Sequence, residues 1–311
     1  MITPPSIGVL IPTLNAEHDL ERLLPALLYS TSSRDILIVD SCSSDNTVNV
    51  ANHYGVRSKV IDKTEFNHGA TRELGRKLLN TDIVVMMTQD AYPLNDDTIA
   101  RLVRPISSGA SSISYARQLP RAGADIVESF PRKYNYPASS HIRGIEDISR
   151  YGIYTFFCSN SCAAYLNSAL DTVGGFPTVL SNEDFFVVAS LLKNGHKIAY
   201  VADAVVEHSH KYTLIQEFHR YFDTGYVHAQ YKWTQNIVGK AESRGFKQFR
   251  SLMIEIIKRN PILLSYALML NITKFVAFKV GYCSLHAPAW WCKRLSGQKT
   301  YWESSSCVLR P

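Results

Sequence analysis

The sequence predicts an α/β fold with a mostly parallel central sheet covered by helices on both faces. Three observations carry that prediction. Short unbroken apolar runs at 7–11, 36–39 and 83–87 read as strands buried on both faces. Between them lie leucines at helical spacing: Leu20, Leu23, Leu24, Leu27 and Leu28, then Leu74, Leu78 and Leu79. Strand and helix alternate over the first third of the chain, and such alternation demands parallel pairing through crossovers.

The elements follow in order. The first strand runs into Pro12-Thr13-Leu14-Asn15, and the first leucine helix comes next. The second strand ends at Asp40. The polar turn after it offers Ser44 or Asp45 as a cap for a helix to about Tyr54, closed by Gly55. Residues 56–61 predict a third strand, and His68-Gly69-Ala70-Thr71-Arg72 opens the next helix. The strand at 83–87 leads to Asp90, with Pro93 expected to stop it. A further strand is expected at 112–118, and 119–152 reads as a long irregular substrate-binding wall. Residues 156–166 read as strand-like, interrupted at Ser159-Asn160-Ser161. Asn182-Glu183-Asp184 begins a helix that Gly195 ends, and 197–201 predicts a strand. Thr213 and Gln216 form a capping box for a helix through about Tyr231. Residues 246–290 read as strongly helical.

Composition narrows the class. A chain of 311 residues with 46% apolar content has room for one large or two modest domains with a real core. Six scattered cysteines without a CxxC or zinc spacing read as reduced packing thiols of a cytosolic protein. The N-terminus lacks the basic and long apolar regions of a signal peptide. Residues 240–311 carry 12 Lys and Arg against 3 Asp and Glu, while the rest is slightly acidic. A basic tail implies an anionic surface as partner. Its aliphatic and aromatic content favours membrane over nucleic acid. The apolar run 261–285 nearly matches a bilayer in length, but Lys274 and Lys279 argue against spanning. A packed helical subdomain is the other reading; a monotopic surface segment anchored by Trp290 and Trp291 is favoured.

The chemistry lies at strand ends, where open parallel sheets bind ligands. Neither GxGxxG nor GxxxxGK[ST] is present, so a dinucleotide-binding Rossmann domain and a P-loop ATPase are unlikely. Asp40 and Asp90 are left as carboxylates that serve either as ligands or as turn caps.

The ordered set of Pro12-Thr13-Leu14-Asn15, Asp40-Ser41-Cys42-Ser43-Ser44-Asp45, Thr88-Gln89-Asp90-Ala91 and Asn182-Glu183-Asp184 resembles inverting family 2 glycosyltransferases of the GT-A fold. The resemblance covers at least residues 7–210. Glu65 through Arg72 and His208-Ser209-His210-Lys211-Tyr212-Thr213 look like its rhamnosyltransferase branch, as do Gly281-Tyr282 and the Trp-rich end. The resemblance implies a catalytic domain over 1–240 and a basic, amphipathic helical region over 241–311 at a membrane surface. It implies a dTDP-L-rhamnose donor, a polyprenyl-diphosphate-linked saccharide acceptor and a place at the cytoplasmic face of the cell membrane. Thr13 and Asn15 would line the nucleoside, Asp40 would accept the base N3–H, and Gln89 would contact the nucleotide-sugar. Arg72, with His68 one turn before it, would meet the diphosphate. Asp90 and His208 would hold Mg²⁺ or Mn²⁺, supported by His210; Thr88 stands where many relatives carry a first Asp. Asp184 would be the catalytic base, its ionised form favoured by the helix N-terminus, and Glu183 would support it. A family 2 enzyme using a UDP-sugar, and a non-catalytic membrane-associated scaffold, are the alternatives.

Overall fold

The computed structural model describes residues 4–238 and 242–303. The first strands fall where the apolar runs predict them: β1 (Ile7–Thr13), β2 (Ile36–Asp40), β3 (Arg57–Val60) and β4 (Ile83–Met87). They alternate with α1 (Glu17–Leu28), α2 (Thr47–His53) and α3 (His68–Leu79). Then come β5 (Tyr92–Pro93), α4 (Thr98–Ser107), β6 (Ile113–Leu119), α5 (Ile126–Asn135), β7 (His141–Arg143) and α6 (Ile148–Tyr151). β8 (Cys162–Leu166), α7 (Asn167–Thr172), α8 (Glu183–Lys193) and β9 (Ile198–Glu207) complete the sheet region. The chain ends in helices: α9 (Leu214–Gln230), α10 (Trp233–Val238), α11 (Glu242–Arg259), α12 (Leu264–Cys283) and α13 (Ala289–Leu295).

One sheet runs in the order β3-β2-β1-β4-β8-β6-β9-β5, with β7 also paired to β9. β1 to β4, β6 and β9 run one way; β5, β7 and β8 run the other. The mostly parallel sheet expected from the sequence is therefore present. Helices cover both faces. Leu20, Leu23, Leu24 and Leu27 of α1 pack on one face with Leu102 and Ile106 of α4. On the other, Val187, Val188 and Leu191 of α8 pack with Leu170 and Leu79.

Four expectations are corrected. Residues 119–152 are not irregular but hold α5, β7 and α6. Pro131 lies inside α5 and masked it in the sequence. The helix forms because Asp125 caps it by accepting the Glu128 N–H at 2.9 Å, and Phe130 buries against Leu252, Ile256 and Ala267. β4 is finished at Met87, but Pro93 is not what ends it: it belongs to the short edge strand β5, where its missing N–H costs nothing. Residues 152–156 form a 3₁₀ turn, so β8 starts only at Cys162. Of the cysteines, Cys42 and Cys283 are exposed rather than packed, and Cys307 lies outside the described residues. The Thr213–Gln216 capping box forms as expected.

α12 docks along α9 through a seam of small residues. Ala267, Ala277 and Gly281 are among its buried positions. A Cβ on Gly225 would overlap the Phe278 carbonyl, and one on Gly281 the Phe222 carbonyl, so the two backbones touch directly. The opposite side of α12 leaves Leu268, Met269, Ile272, Phe275 and Val276 in solvent.

Candidate active site

The first turn of α3 is held by its cap. Asn67 Oδ1 accepts the Gly69 and Ala70 N–H groups, both at 3.0 Å, and its Nδ2 donates to the Val179 carbonyl at 2.7 Å. Gly69 lies so close to the Pro177 carbonyl that any side chain would overlap it. These contacts clamp α3 to the loop that leads into α8. His68 and Arg72 are thereby brought against Glu183 and Asp184.

Arg72 NH1 pairs with Glu183 Oε1 at 3.2 Å, and both side chains are buried. Arg72 also donates to the His68 carbonyl at 3.0 Å, and its Nε has no partner among the described residues. The guanidinium expected on a diphosphate is thus already engaged by Glu183. Glu183 accepts in addition from Asn160 Nδ2 at 2.9 Å, while Asn160 Oδ1 accepts from the Tyr165 hydroxyl at 2.8 Å. Burial is the largest influence on Glu183 and opposes its charge, but Arg72, His68 and the Asn160 hydrogen bond together outweigh it and hold the carboxyl below its usual range. Burial lowers His68, with Glu183 pulling the other way.

Asp184 follows on the first turn of α8, accepting from the Phe185 N–H at 2.8 Å and the Asn160 N–H at 3.3 Å. The N–H groups of Phe185 and Asn160 favour its ionised form, as expected of a helix terminus, but they are outweighed. Burial first, and the charge on Glu183 second, push the carboxyl up to about 7.

A second cluster forms where β5 pairs with the end of β9. The register sets Tyr92 opposite Glu207, which carries Asp90 to the segment just past β9. His210 Nε2 lies 2.9 Å from Asp90 Oδ2, and His208 Nε2 lies 3.5 Å from Oδ1. The two imidazole nitrogens are 3.1 Å apart. Burial opposes ionisation of Asp90, yet the two histidines hold it well below the usual carboxylate range. One ligand atom from each of the three residues falls within 4.8 Å of the others, so the donor set fits a divalent cation.

Gln118, a buried residue of β6, sets the tautomer. Its Nε2 donates to Ser159 Oγ at 2.9 Å, which turns Oε1 to His208 Nδ1 at 3.1 Å. With Gln118 as the partner at 3.1 Å, preferred over the longer 3.4 Å approach of Arg132 Nη2 to the same nitrogen, Nδ1 carries the proton and the Nε2 lone pair faces Asp90 and His210. The sequence reading missed Gln118 and Asn160. Their only signal was a polar letter within, or just before, an apolar strand.

The residues expected at the nucleoside form a third group. Asp40 is 1% exposed and caps a turn: it accepts from Thr13 Oγ1 at 2.9 Å, Ser43 Oγ at 2.5 Å and Ser43 N–H at 2.8 Å. Asn15, at φ 50°, accepts from the Ser44 N–H at 2.9 Å. Gln89 pins the same loop, accepting the Leu14 N–H at 3.0 Å and donating to Asp19 at 2.8 Å. Together these side chains knit the loops at the carboxyl ends of β1, β2 and β4.

A cavity of about 770 Å³ opens over the other two clusters. His68, Arg72, Asp90, Glu183, Asp184, His208 and His210 all line it, whereas Thr13, Asn15, Asp40 and Gln89 do not. Its far wall comes from α9, α11 and α12.

Residues 8–174 match the model of the family described as "Glycosyl transferase family 2". The chain belongs to glycosyl transferase family 2. Within it, the chain is 37% identical over 303 residues to the O-antigen chain rhamnosyltransferase RfbN of Salmonella typhimurium, covering 96% of each chain. It is 36% identical over 305 residues to the O-antigen chain rhamnosyltransferase WbaN of Salmonella anatum, again covering 96% of each. Solved structures agree on the GT-A fold of this family 2 glycosyltransferase. It superposes on the mannosyltransferase PcManGT of Pyrobaculum calidifontis, in complex with GDP-Man and Mn²⁺, with a TM-score of 0.62 at 15% identity, covering 90% and 88% of the two chains. S. aureus TarS residues 1–349 give 0.56 at 15% identity, covering 90% and 91%.

Proposed function

We propose that this family 2 enzyme transfers L-rhamnose from dTDP-L-rhamnose, with inversion, to a polyprenyl-diphosphate-linked saccharide of a cell-surface polysaccharide. The near-full-length identity to two O-antigen chain rhamnosyltransferases supports the sugar and the setting. The observation that carries the mechanism is Asp184: a carboxylate in the cavity wall whose affinity for a proton is raised to about 7. A base matched to neutral pH takes a proton in the transition state without holding it too weakly or too tightly.

The ionised Asp184 carboxylate accepts the proton of an acceptor hydroxyl. That oxygen forms a bond to the anomeric carbon as the bond from that carbon to the diphosphate oxygen breaks. The electron pair leaves with dTDP, and the configuration inverts. Glu183 keeps Arg72 oriented and tunes Asp184. Asp90, His208 and His210 would hold Mn²⁺ or Mg²⁺, the imidazoles favouring Mn²⁺. When bound, such a cation stabilises charge on the leaving diphosphate. Arg72, His68 and Gln89 remain proposed donor-side residues, and Thr13, Asn15 and Asp40 the nucleoside end.

We also place the enzyme at the cytoplasmic membrane face. The segment Pro261–Cys283 is long and apolar enough to cross a bilayer, and little of it is buried. Ile254, Ile257, Ile262, Phe275 and Trp290 are exposed on the same helical region, and its basic side chains suit anionic lipid. Residues 1–240 would hold the chemistry and 241–311 the membrane surface. Because α12 packs along α9, the two are not separable pieces, and point substitutions test the surface better than truncation does.

The reading is tested by comparing dTDP-L-rhamnose with UDP-glucose and UDP-N-acetylglucosamine as donors. Preferred turnover of a UDP-sugar refutes the donor. Asp184→Asn should abolish transfer while dTDP binding persists; near-normal transfer refutes the base. Ile272→Asp with Phe275→Asp should shift the protein away from anionic vesicles, and unchanged partition refutes the membrane face.

A further inference from the structure

Five arginines and lysines line the cavity, and four of them are already paired with a carboxylate. Arg72 is held by Glu183 at 3.2 Å and Lys211 by Asp125 at 3.1 Å, while Arg220 and Lys274 share Glu217 at 3.3 and 3.2 Å. The fifth, Arg132 in the last turn of α5, has no acidic partner among the described residues. It is half-buried, and its Nε donates to the His208 carbonyl at 2.8 Å. Its Nη2 lies 3.4 Å from His208 Nδ1, but that nitrogen gives its own proton to Gln118 and offers no lone pair. Nη1 has no hydrogen-bonding partner among the described residues. One edge of the guanidinium is therefore anchored to the backbone, and both Nη groups keep hydrogens to give.

The surroundings indicate which ligand takes them. A planar fork with two open donors binds two oxygens of one phosphate at once. This fork stands on one side of the His208 ring, and the nitrogen on the other side belongs to the Asp90, His208 and His210 cluster. That cluster sets one carboxylate against the two charges of a divalent cation, and Arg132 adds a further positive charge beside it. Arg132 thus repels a cation that arrives alone, and a diphosphate offsets both charges together.

We propose that the Nη1 and Nη2 groups of Arg132 receive oxygens of the donor's diphosphate, so that Arg132 binds the nucleotide and disfavours capture of the cation without it. The proposal rests on the reading of this cavity as the site of a nucleotide-sugar transferase. A lipid-linked acceptor also carries a diphosphate, and the place of Arg132 beside the Asp90 cluster favours the donor's.

The test is calorimetry on the full-length protein as wild type, Arg132→Met and Arg132→Lys. Methionine removes the charge and the fork, whereas lysine keeps the charge without the fork. Each protein is titrated with MnCl₂ alone, then with dTDP and with geranyl diphosphate in the presence of MnCl₂. In R132M, dTDP should bind about tenfold more weakly or worse, while Mn²⁺ alone binds roughly threefold more tightly. In R132K, Mn²⁺ affinity should stay within about twofold of wild type, and dTDP should still weaken about threefold or more.

Wild-type dTDP affinity in R132M overturns the proposal; if R132M does not fold, wild-type dTDP affinity in R132K does so. Weaker Mn²⁺ binding in R132M with dTDP affinity intact shows that Arg132 only anchors His208, and also overturns it. A loss confined to geranyl diphosphate assigns the fork to the acceptor and overturns it as well. A wild type that binds UDP but not dTDP refutes the proposed donor alone, and the same R132M loss measured with UDP still supports Arg132. A wild type that binds neither nucleotide overturns the transferase reading and this proposal with it.

Discussion

Replacing Glu183 with Gln should move the pH dependence of transfer toward acid. Glu183 is one of the two groups that raise Asp184, burial being the larger. The amide keeps an oxygen for Asn160 Nδ2 and Arg72 NH1, now 2.9 and 3.2 Å from Glu183 Oε1, so the hydrogen bonds survive while the charge goes. Loss of that charge lowers the Asp184 pKa, and the released field of Arg72 lowers it further. In wild type, kcat/KM should rise with pH through about 7, because only the ionised carboxylate accepts a proton. At pH 6 about a tenth of Asp184 is then ionised; a fall of one unit brings that to about half. The acidic limb of kcat/KM for dTDP-L-rhamnose, measured from pH 5 to 8, should therefore shift by about one unit or more. The plateau should fall as well, since Arg72 loses its charged partner. An acidic limb that stays in place in E183Q, or shifts toward base, refutes the view that this pair tunes the base.

Three further outcomes follow from the geometry. Gln118→Leu removes the acceptor that orients His208, so Mn²⁺ affinity measured by calorimetry should weaken about 10- to 100-fold; unchanged affinity means that the tautomer is set elsewhere. Gly281→Val drives a side chain into the Phe222 carbonyl, and the overpacking should lower the melting temperature by roughly 3–10 °C; an unchanged value means that the helices are free to separate. Asp184 and Asp223 both hold protons up to about 7 in the fold, whereas an unfolded chain releases them near pH 4. Their neutral forms thus contribute stability that is full below about pH 4 and lost as pH rises to about 7. D223N should lose less melting temperature than wild type between pH 5 and 8, and parallel curves refute the shift.

What the sequence disclosed and what it withheld divide along the range of the interactions. β1, β2, β4, α1 and α3 are written in local periodicity, and their apolar letters alone place them. β8 carries no mark of running antiparallel between β4 and β6, since that follows from partners distant in the chain. α5 hides behind Pro131 because tertiary burial of Phe130 outweighs the local penalty. In the site, Asp90, His208 and Asp184 stand out through the order of their motifs. The pairing of Arg72 with Glu183 does not, because it depends on the close approach of α3 and α8 at Gly69. Asp223 is a lone acid in a helix, and only the docking of the loop after α13 gives it meaning.

The seam between α9 and α12 links the cavity wall to the exposed face of the molecule. α12 lends Asn271 and Lys274 to the cavity while turning Ile272 and Phe275 outward. With Gly225 and Gly281 leaving no slack between the two helices, inner wall and outer face move as one solid piece. A substitution on the outer face that shifts α12 therefore displaces Asn271 and Lys274 of the cavity wall as well.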